Sequence, residues 1–201
     1  MKKKIFLYLM MPLSLLACNG GTNKDSVDKA DSSNEVKSDS TSTSNTMDTT
    51  TKSNGVLAVD ESTAKFLVNV ADVSMTEVQL GQIAAEKASN QRVKDFGSMM
   101  VKDHSAANDE LKTLAANKNV TLPGSISEEH QKKIDDLNKK TGKDFDKAYM
   151  DMMEDGHEST VKDFEKNNDN KDADVKAFVN KMLPTLKMHL DSAKAIKKAL
   201  K

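Results

Sequence analysis

Residues 77–114 read EVQLGQIAAEKASNQRVKDFGSMMVKDHSAANDELKTL, and this stretch decides the fold. Apolar residues recur every three or four positions on both sides of the polar turn at residues 89–91, which is the period of an α-helix. Asn90 is a typical N-cap residue, so we expect the second helix to begin directly after it. The pattern predicts two antiparallel helices joined by a tight turn.

One carboxylate and one imidazole interrupt these apolar faces. Glu77 shares a face with Leu80, and His104 follows Met100 on the face of the second helix. Both lie at nearly the same distance from the turn, so the hairpin brings them to the same height. Burial of an unpaired carboxylate costs several kcal/mol, and we therefore expect Glu77 and His104 to be partners.

The helical period continues to the end of the chain. It predicts long helices over residues 61–87, 91–117, 143–167 and 172–200, and a short helix over residues 127–140. Ser125 and Glu128 form a capping box at the start of the short helix, and Pro184 predicts a kink in the last one. Two long hairpins joined by a connection of about 25 residues are typical of an all-α, ferritin-like four-helix bundle with one crossover. All five phenylalanines of this domain fall on inward faces, at positions 66, 96, 145, 164 and 178.

Charge and composition exclude several classes of function. The 201 residues carry 30 Lys and Arg against 31 Asp and Glu, a balance that argues against nucleic acid as a partner. The sequence has no Gly-rich phosphate loop and no Ser/His/Asp spacing typical of a hydrolase. We therefore expect a binding or structural protein rather than an enzyme.

The N-terminus has the pattern of an export signal. Three lysines at positions 2–4 precede a mostly apolar run at residues 5–17, which is shorter than the ~20 residues of a membrane-spanning helix. The run ends at Leu-Leu-Ala-Cys, which resembles the lipobox of bacterial lipoproteins. We predict a lipoprotein signal peptide over residues 1–17 and a lipid on Cys18, the single cysteine. The alternative is an ordinary signal peptide that leaves a free thiol.

Residues 18–60 are rich in Ser and Thr and contain few apolar residues. Such a segment cannot bury enough apolar surface to offset its chain entropy, so we predict a disordered tether between the lipid and a folded domain over residues 61–201. The protein is then exported to the bacterial cell envelope, with a membrane as its partner through Cys18. Residues 19–21 lack the Asp that in some bacteria retains lipoproteins at the inner membrane, which favours the outer membrane. The sequence indicates neither a protein partner nor an oligomeric state.

Each long helix carries one candidate polar residue on its inward face. These residues are Glu77, His104, His157 and His189. Imidazoles with a carboxylate suit zinc, copper or iron. The fourth histidine, His130, lies in the charged short helix, where we expect it to be solvated.

A ferritin-like di-iron centre would need two Glu-x-x-His motifs. Glu154 and His157 form one, but Val101 and Leu186 stand three residues before the other two histidines. A mononuclear site is therefore the only metal site that this pattern supports.

Four further residues are secondary candidates for the site. They are Asp103, Glu154, Met100 and Met153. Each methionine precedes a histidine by four residues, and thioether with imidazole favours copper(I), although methionine is also an ordinary core filler. Two interpretations stay open. Either the bundle binds a metal ion, or the protein is a structural or interaction module whose buried Glu/His cluster only fixes the helices in register.

Four separated blocks carry a family resemblance. They are EVQLGQIA from Glu77, VKDF and MVKDH ending at His104, Phe-Asp at 145–146 with His157, and Leu-Pro at 183–184 with His189. In order and spacing they resemble the domain-of-unknown-function 4142 family of bacterial envelope proteins, over residues 61–200. The resemblance implies a ferritin-like fold. It also implies that Glu77, Asp103, His104, His157 and His189 occupy positions that recur in the family. It implies no reaction.

Overall fold

The computed structural model describes residues 25–39 and 58–200, and the regular secondary structure of that part of the chain is all α-helix. It contains α1 (Ser26–Asp39), α2 (Glu61–Lys87), α3 (Gln91–Asn117), α4 (Glu128–Asn138), α5 (Gly142–Lys166) and α6 (Ala173–Ala199). The predicted ends of α2 and α3 agree with the structure, and those of α4, α5 and α6 agree within two residues. The all-α bundle is confirmed.

Two contacts fix the path of the chain through the bundle. Asp146, near the start of α5, accepts hydrogen bonds from the backbone N–H groups of Ser89 and Asn90 at the α2–α3 turn, each at 2.9 Å. At the other end of the bundle, Lys118 follows α3 and lies 2.8 Å from Asp172, the N-cap of α6. The connection that holds α4 therefore runs the length of the bundle, which is the predicted single crossover.

Side-chain caps begin most of the helices. Asn90 accepts from the N–H of Arg92 at 2.9 Å, as the sequence predicts for α3. The predicted capping box at the start of α4 is wrong. Ser127 is the N-cap instead and accepts from His130 N–H, whereas the N–H of Ser125 donates to Ser26 on α1.

The core of the bundle is divided into two hydrophobic clusters. One lies toward the α2–α3 turn and contains Phe96, Phe145 and Tyr149. The other lies toward the opposite end and contains Phe164 and Phe178. All five phenylalanines of the domain are buried, as predicted.

Two glycines allow α2 and α3 to pack very closely. A Cβ atom on Gly81 would lie 2.6 Å from the backbone oxygen of Gly97, and a Cβ on Gly97 would lie 2.7 Å from the oxygen of Gly81. Backbone atoms cannot move aside without a large cost in free energy, so both positions need a residue without a side chain. This contact, one turn after Glu77, fixes the register of the first hairpin.

Helix α1 corrects the prediction of a disordered tether for residues 26–39. Ala30 and Asn34 are each 2% exposed. Asn34 donates to the backbone oxygen of Thr121 at 2.9 Å and accepts from its N–H at 2.8 Å, and Lys37 donates to the backbone oxygen of Asn119 at 2.8 Å. The composition argument failed here because polar contacts to the crossover add to the burial of Ala30 and together hold α1 in place.

The signal peptide, Cys18 and most of the tether lie outside the described residues, so their predictions are untested. None of the six described helices has an apolar stretch long enough to cross a membrane.

Candidate metal centre

The four inward polar residues lie in one layer between the two hydrophobic clusters. Each is near the middle of its helix: Glu77 on α2, His104 on α3, His157 on α5 and His189 on α6. They are 3%, 5%, 0% and 1% exposed, respectively. The fold therefore brings together, out of solvent, four residues that are far apart in sequence.

The three imidazoles converge on a common point. One nitrogen of each ring lies within 4.8 Å of the corresponding nitrogens of the other two. The ring centroids are 5.3–5.7 Å apart. Three buried histidines with this spacing could hold a metal ion.

One nitrogen of each ring is held by a neighbouring group. His157 Nδ1 donates to the backbone oxygen of Met153 at 2.8 Å, and His189 Nε2 lies 3.0 Å from Asp103 Oδ2. His104 Nδ1 lies 3.3 Å from the hydroxyl of Ser74. Carbonyl and carboxylate oxygens only accept, so the bonded nitrogens of His157 and His189 carry the proton and their other nitrogens carry a lone pair. Such contacts orient the histidines of metal sites.

The opposite nitrogen of each ring has no hydrogen-bond partner among the described residues. These atoms are Nε2 of His104, Nε2 of His157 and Nδ1 of His189. Buried polar atoms are paired in most proteins, and leaving one unpaired costs about 1–3 kcal/mol. His157 Nε2 and His189 Nδ1 have no described neighbour to bond to, and His104 Nε2 faces only the Glu77 carboxylate, so the layer has unused capacity for a ligand.

Glu77 lies beside this cluster on α2. Its Oε2 is 2.8 Å from His104 Nε2, but the contact lacks hydrogen-bond geometry, and its Oε1 is 3.4 Å from His157 Nδ1. The structure thus places His104 next to Glu77, as the sequence predicts. The carboxylate supplies negative charge where the imidazoles converge.

The charges of the layer are set by burial and by mutual contact. Burial opposes ionisation of Glu77, but His104 and His157 outweigh it and hold the pKa of the carboxyl at about 2. Burial also disfavours charge on His104, but the Glu77 carboxylate outweighs it and raises the pKa of that imidazole. For His189, burial and the two other histidines lower the pKa to about 4, so this imidazole is neutral at pH 7.

The secondary candidates have different positions. Asp103 joins the layer by supporting His189, whereas Glu154 lies away from it and pairs with Lys197 at 2.8 Å. Met100 and Met153 pack in the hydrophobic cluster toward the turn. The Glu-x-x-His spacing therefore does not bring Glu154 to the histidines.

Sequence reasoning missed two features of the site. Ser74 contacts His104, and its position three residues before Glu77, on the same helix face, could have indicated this. His130 is not fully solvated as expected, because its Nδ1 lies 2.8 Å from Asp72 Oδ2. Its side chain is 20% exposed.

Two cavities adjoin the layer. The smaller, about 40 Å³, has mostly apolar walls and is bordered by Glu77, Asp103, His104 and His189. The larger, about 750 Å³, lies among α1, α2, α4 and α5 and also reaches Glu77. Glu77 therefore lines both spaces.

The model of the family described as "Domain of unknown function (DUF4142)" matches residues 48–196. The chain belongs to this family. A search of curated proteins finds no match.

Among solved structures, the chain is similar to one described as "CopM in the Cu(II)-bound form". The TM-score is 0.60 at 13% identity, over 69% of this chain and 97% of that one. At this identity the likeness shows a shared helical fold.

Proposed function

We propose that the DUF4142 bundle binds one transition-metal ion through His104, His157 and His189, with Glu77 as the adjacent carboxylate. The observation that supports this is the convergence of three buried imidazoles, each of which offers one nitrogen within 4.8 Å of those of the other two. On binding, the chain would exchange the contact between Glu77 and His104 for bonds to the ion. No described residue of the layer suggests a reaction, so we propose a binding function.

The donor set fits such an ion in chemistry and approximately in geometry. Nitrogens bound tetrahedrally at about 2.0–2.1 Å from a metal are about 3.4 Å apart. Donors that lie within 4.8 Å of one another can reach that spacing by small movements of the rings. On each imidazole, the nitrogen that would not bind the ion contacts Ser74, Met153 or Asp103. These contacts direct the other nitrogen toward the centre of the layer.

Copper is the first metal to test. Imidazole suits zinc, copper and iron. The solved structure that shares this fold is described as Cu(II)-bound, which makes copper the preferred candidate. The thioethers of Met100 and Met153 pack in the hydrophobic cluster, so the proposed donors are nitrogens and a carboxylate.

Metal analysis of protein purified without a histidine tag tests the proposal. We expect one equivalent of copper per chain and a rise in the free energy of unfolding of about 2.7 kcal/mol at 100 times the dissociation constant. His157→Ala should abolish the binding. His130→Gln, which alters a histidine outside the cluster, should leave the stoichiometry at one. Absence of stoichiometric copper, zinc or iron together with an unchanged melting temperature would refute the proposal.

A structural role is the second candidate. It is favoured by the position of the polar layer between two hydrophobic clusters, where it can fix the register of the helices. The double substitution Glu77→Met and His104→Leu distinguishes the two roles. A structural layer predicts an unaltered phenotype in cells and a fold at least as stable. A metal site predicts loss of copper binding even when the fold is intact.

We further propose that the protein is a lipoprotein of the cell envelope, anchored through Cys18. The lysines at 2–4, the apolar run at 5–17 and the single cysteine support this. Cys18→Ala should move the protein from the membrane fraction to the soluble fraction. It should also remove the acyl mass from the N-terminal peptide. Membrane retention of Cys18→Ala would contradict the proposal, and fractionation of the two membranes tests the preference for the outer one.

A further inference from the structure

We infer that the larger cavity is the path by which a divalent cation reaches the histidine layer, and that Gly156 keeps this path open. The inference rests on the metal-binding function proposed above and adds the route to it. It assigns a role to residues on α1, α4 and α5 that do not hold the ion.

The cavity connects solvent with the buried carboxylate. Its outer wall includes the exposed residues Asp28, Glu129 and Asp155, so it is open to water at that end. At its inner end lies Glu77, whose side chain is 5% exposed and whose Oε1 is the side-chain atom that faces Gly156. Glu77 also borders the small cavity, together with His104 and His189. It therefore connects the larger cavity with the proposed metal site.

The walls of the cavity favour cations. Among the described residues, seven carboxylates and one lysine line it. Lys133 pairs with Glu129 at 2.7 Å and Lys166 pairs with Asp163 at 3.0 Å, and the carboxylates that remain leave the wall with a net negative charge. Clefts lined by one sign of charge concentrate oppositely charged ions and raise association rates by about 10- to 1,000-fold.

His130 adds a nitrogen donor to the wall. His130 Nδ1 lies 2.8 Å from Asp72 Oδ2. The other oxygen of Asp72 accepts a hydrogen bond from the N–H of Ser127 at 2.7 Å. No described residue bonds to Nε2 of His130. A carboxylate-oriented imidazole of this kind is a suitable transient ligand for a hydrated cation between solvent and Glu77.

Gly156 is the position where the wall lacks a side chain. It lies in the interior of α5, where glycine costs about 1 kcal/mol relative to alanine. Packing does not demand it, because a Cβ there would meet only Glu77 Oε1, at an ordinary 3.8 Å. That Cβ would point at the Glu77 carboxylate, so a long side chain at this position would fill the space in front of it.

Stopped-flow mixing of the full-length protein with Cu(II), followed by absorbance, tests the route. Gly156→Leu should lower the association rate at least tenfold and the dissociation rate comparably, which leaves the dissociation constant within threefold. Gly156→Ala is the matched control and should stay within twofold of the unaltered rates. The triple substitution Asp28→Asn, Glu129→Gln and Asp155→Asn should slow association about tenfold at low salt and weaken its dependence on NaCl.

Equal association rates for Gly156→Leu and the unaltered protein would overturn the route. Unchanged salt dependence in the triple variant would also overturn it. If circular dichroism shows that Gly156→Leu does not fold, the triple variant alone decides. Failure of the unaltered protein to bind copper, zinc or iron is a separate result, because it refutes the proposed function itself.

Discussion

The Asp103 carboxylate and the His189 imidazole are joined across the α3–α6 interface, with Oδ2 3.0 Å from Nε2. The next residue on α3 is His104, which presents its own Nε2 to the same layer, 2.8 Å from Glu77 Oε2. One turn of α3 therefore supplies one imidazole and orients another. This contact also links the two hairpins, because α3 and α6 belong to different ones.

Replacement of Asp103 by alanine should weaken metal binding without unfolding the bundle. The variant leaves His189 free to rotate, and loss of a comparable supporting contact typically costs 10- to 100-fold in affinity. Isothermal titration with Cu(II) measures the change. Asp109→Ala, on an exposed position of the same helix, is the control and should bind as the unaltered protein does. Equal affinities for both variants would show that Asp103 does not position His189.

Alanine at two helical glycines should have opposite effects on stability. Gly81→Ala places a methyl group 2.6 Å from the backbone oxygen of Gly97, and such overpacking typically costs about 1–3 kcal/mol. Gly156→Ala meets no crowding and should gain up to about 1 kcal/mol from helix propensity. Urea unfolding followed by circular dichroism compares the two. A stabilised Gly81→Ala would mean that α2 and α3 can separate without loss.

Asp146→Ala should strongly destabilise the first hairpin. The Asp146 carboxylate accepts from both the N–H and the hydroxyl of Ser89 and from the N–H of Asn90, and it is 2% exposed. Hydrogen bonds to charged groups contribute about 1.5–3 kcal/mol each, so we expect a loss of about 3 kcal/mol or more. Thermal unfolding measures it. Asp144→Ala, exposed in the first turn of α5, is the control and should cost less than about 1 kcal/mol.

Stability should depend on pH through Asp72. Burial opposes ionisation, but the bonds from His130 and from the N–H of Ser127 outweigh it and lower the pKa of the Asp72 carboxyl. A lowered pKa in the folded state stabilises the protein above the unfolded value of about 3.9, and this contribution is lost as the pH falls below it. Glu129 on α4, which pairs with Lys133, is a further charged group close to this pair.

We therefore expect Asp72→Asn to be about 2 kcal/mol less stable than the unaltered protein at pH 6. The gap should narrow as the pH falls from about 4 to 2, because protonated Asp72 then resembles asparagine. Urea unfolding at each pH measures the gap. A gap that is constant over this range would show that the Asp72 charge contributes nothing. Asp109→Asn should show no comparable trend.

Helix positions were predictable because local signals decide them. The apolar period and the N-cap at Asn90 fixed both ends of α3, and the long connection indicated the crossover. The layer was predictable for a similar reason, since Glu77, His104, His157 and His189 interrupt apolar faces at similar heights. Family resemblance pointed to the same positions.

The features that sequence reasoning missed depend on contacts between distant segments. Helix α1 is held by Asn34 bonding to Thr121, and no local pattern in a Ser-rich segment indicates such a pairing. Likewise, Glu154 has the spacing of a ligand, but its position on α5 directs it to Lys197. The bond between His130 and Asp72 arises from the path of the crossover over α2, which the helical period does not specify.

The division of the donors between the two hairpins has a mechanical consequence. The first hairpin is tightly closed by Gly81 and Gly97, whereas the cavity that reaches Glu77 is lined both by α2 and by α5 of the second. An ion bound by His104 on one hairpin and by His157 and His189 on the other would link the two hairpins reversibly. Loading and unloading would then change how stiffly the two hairpins are joined.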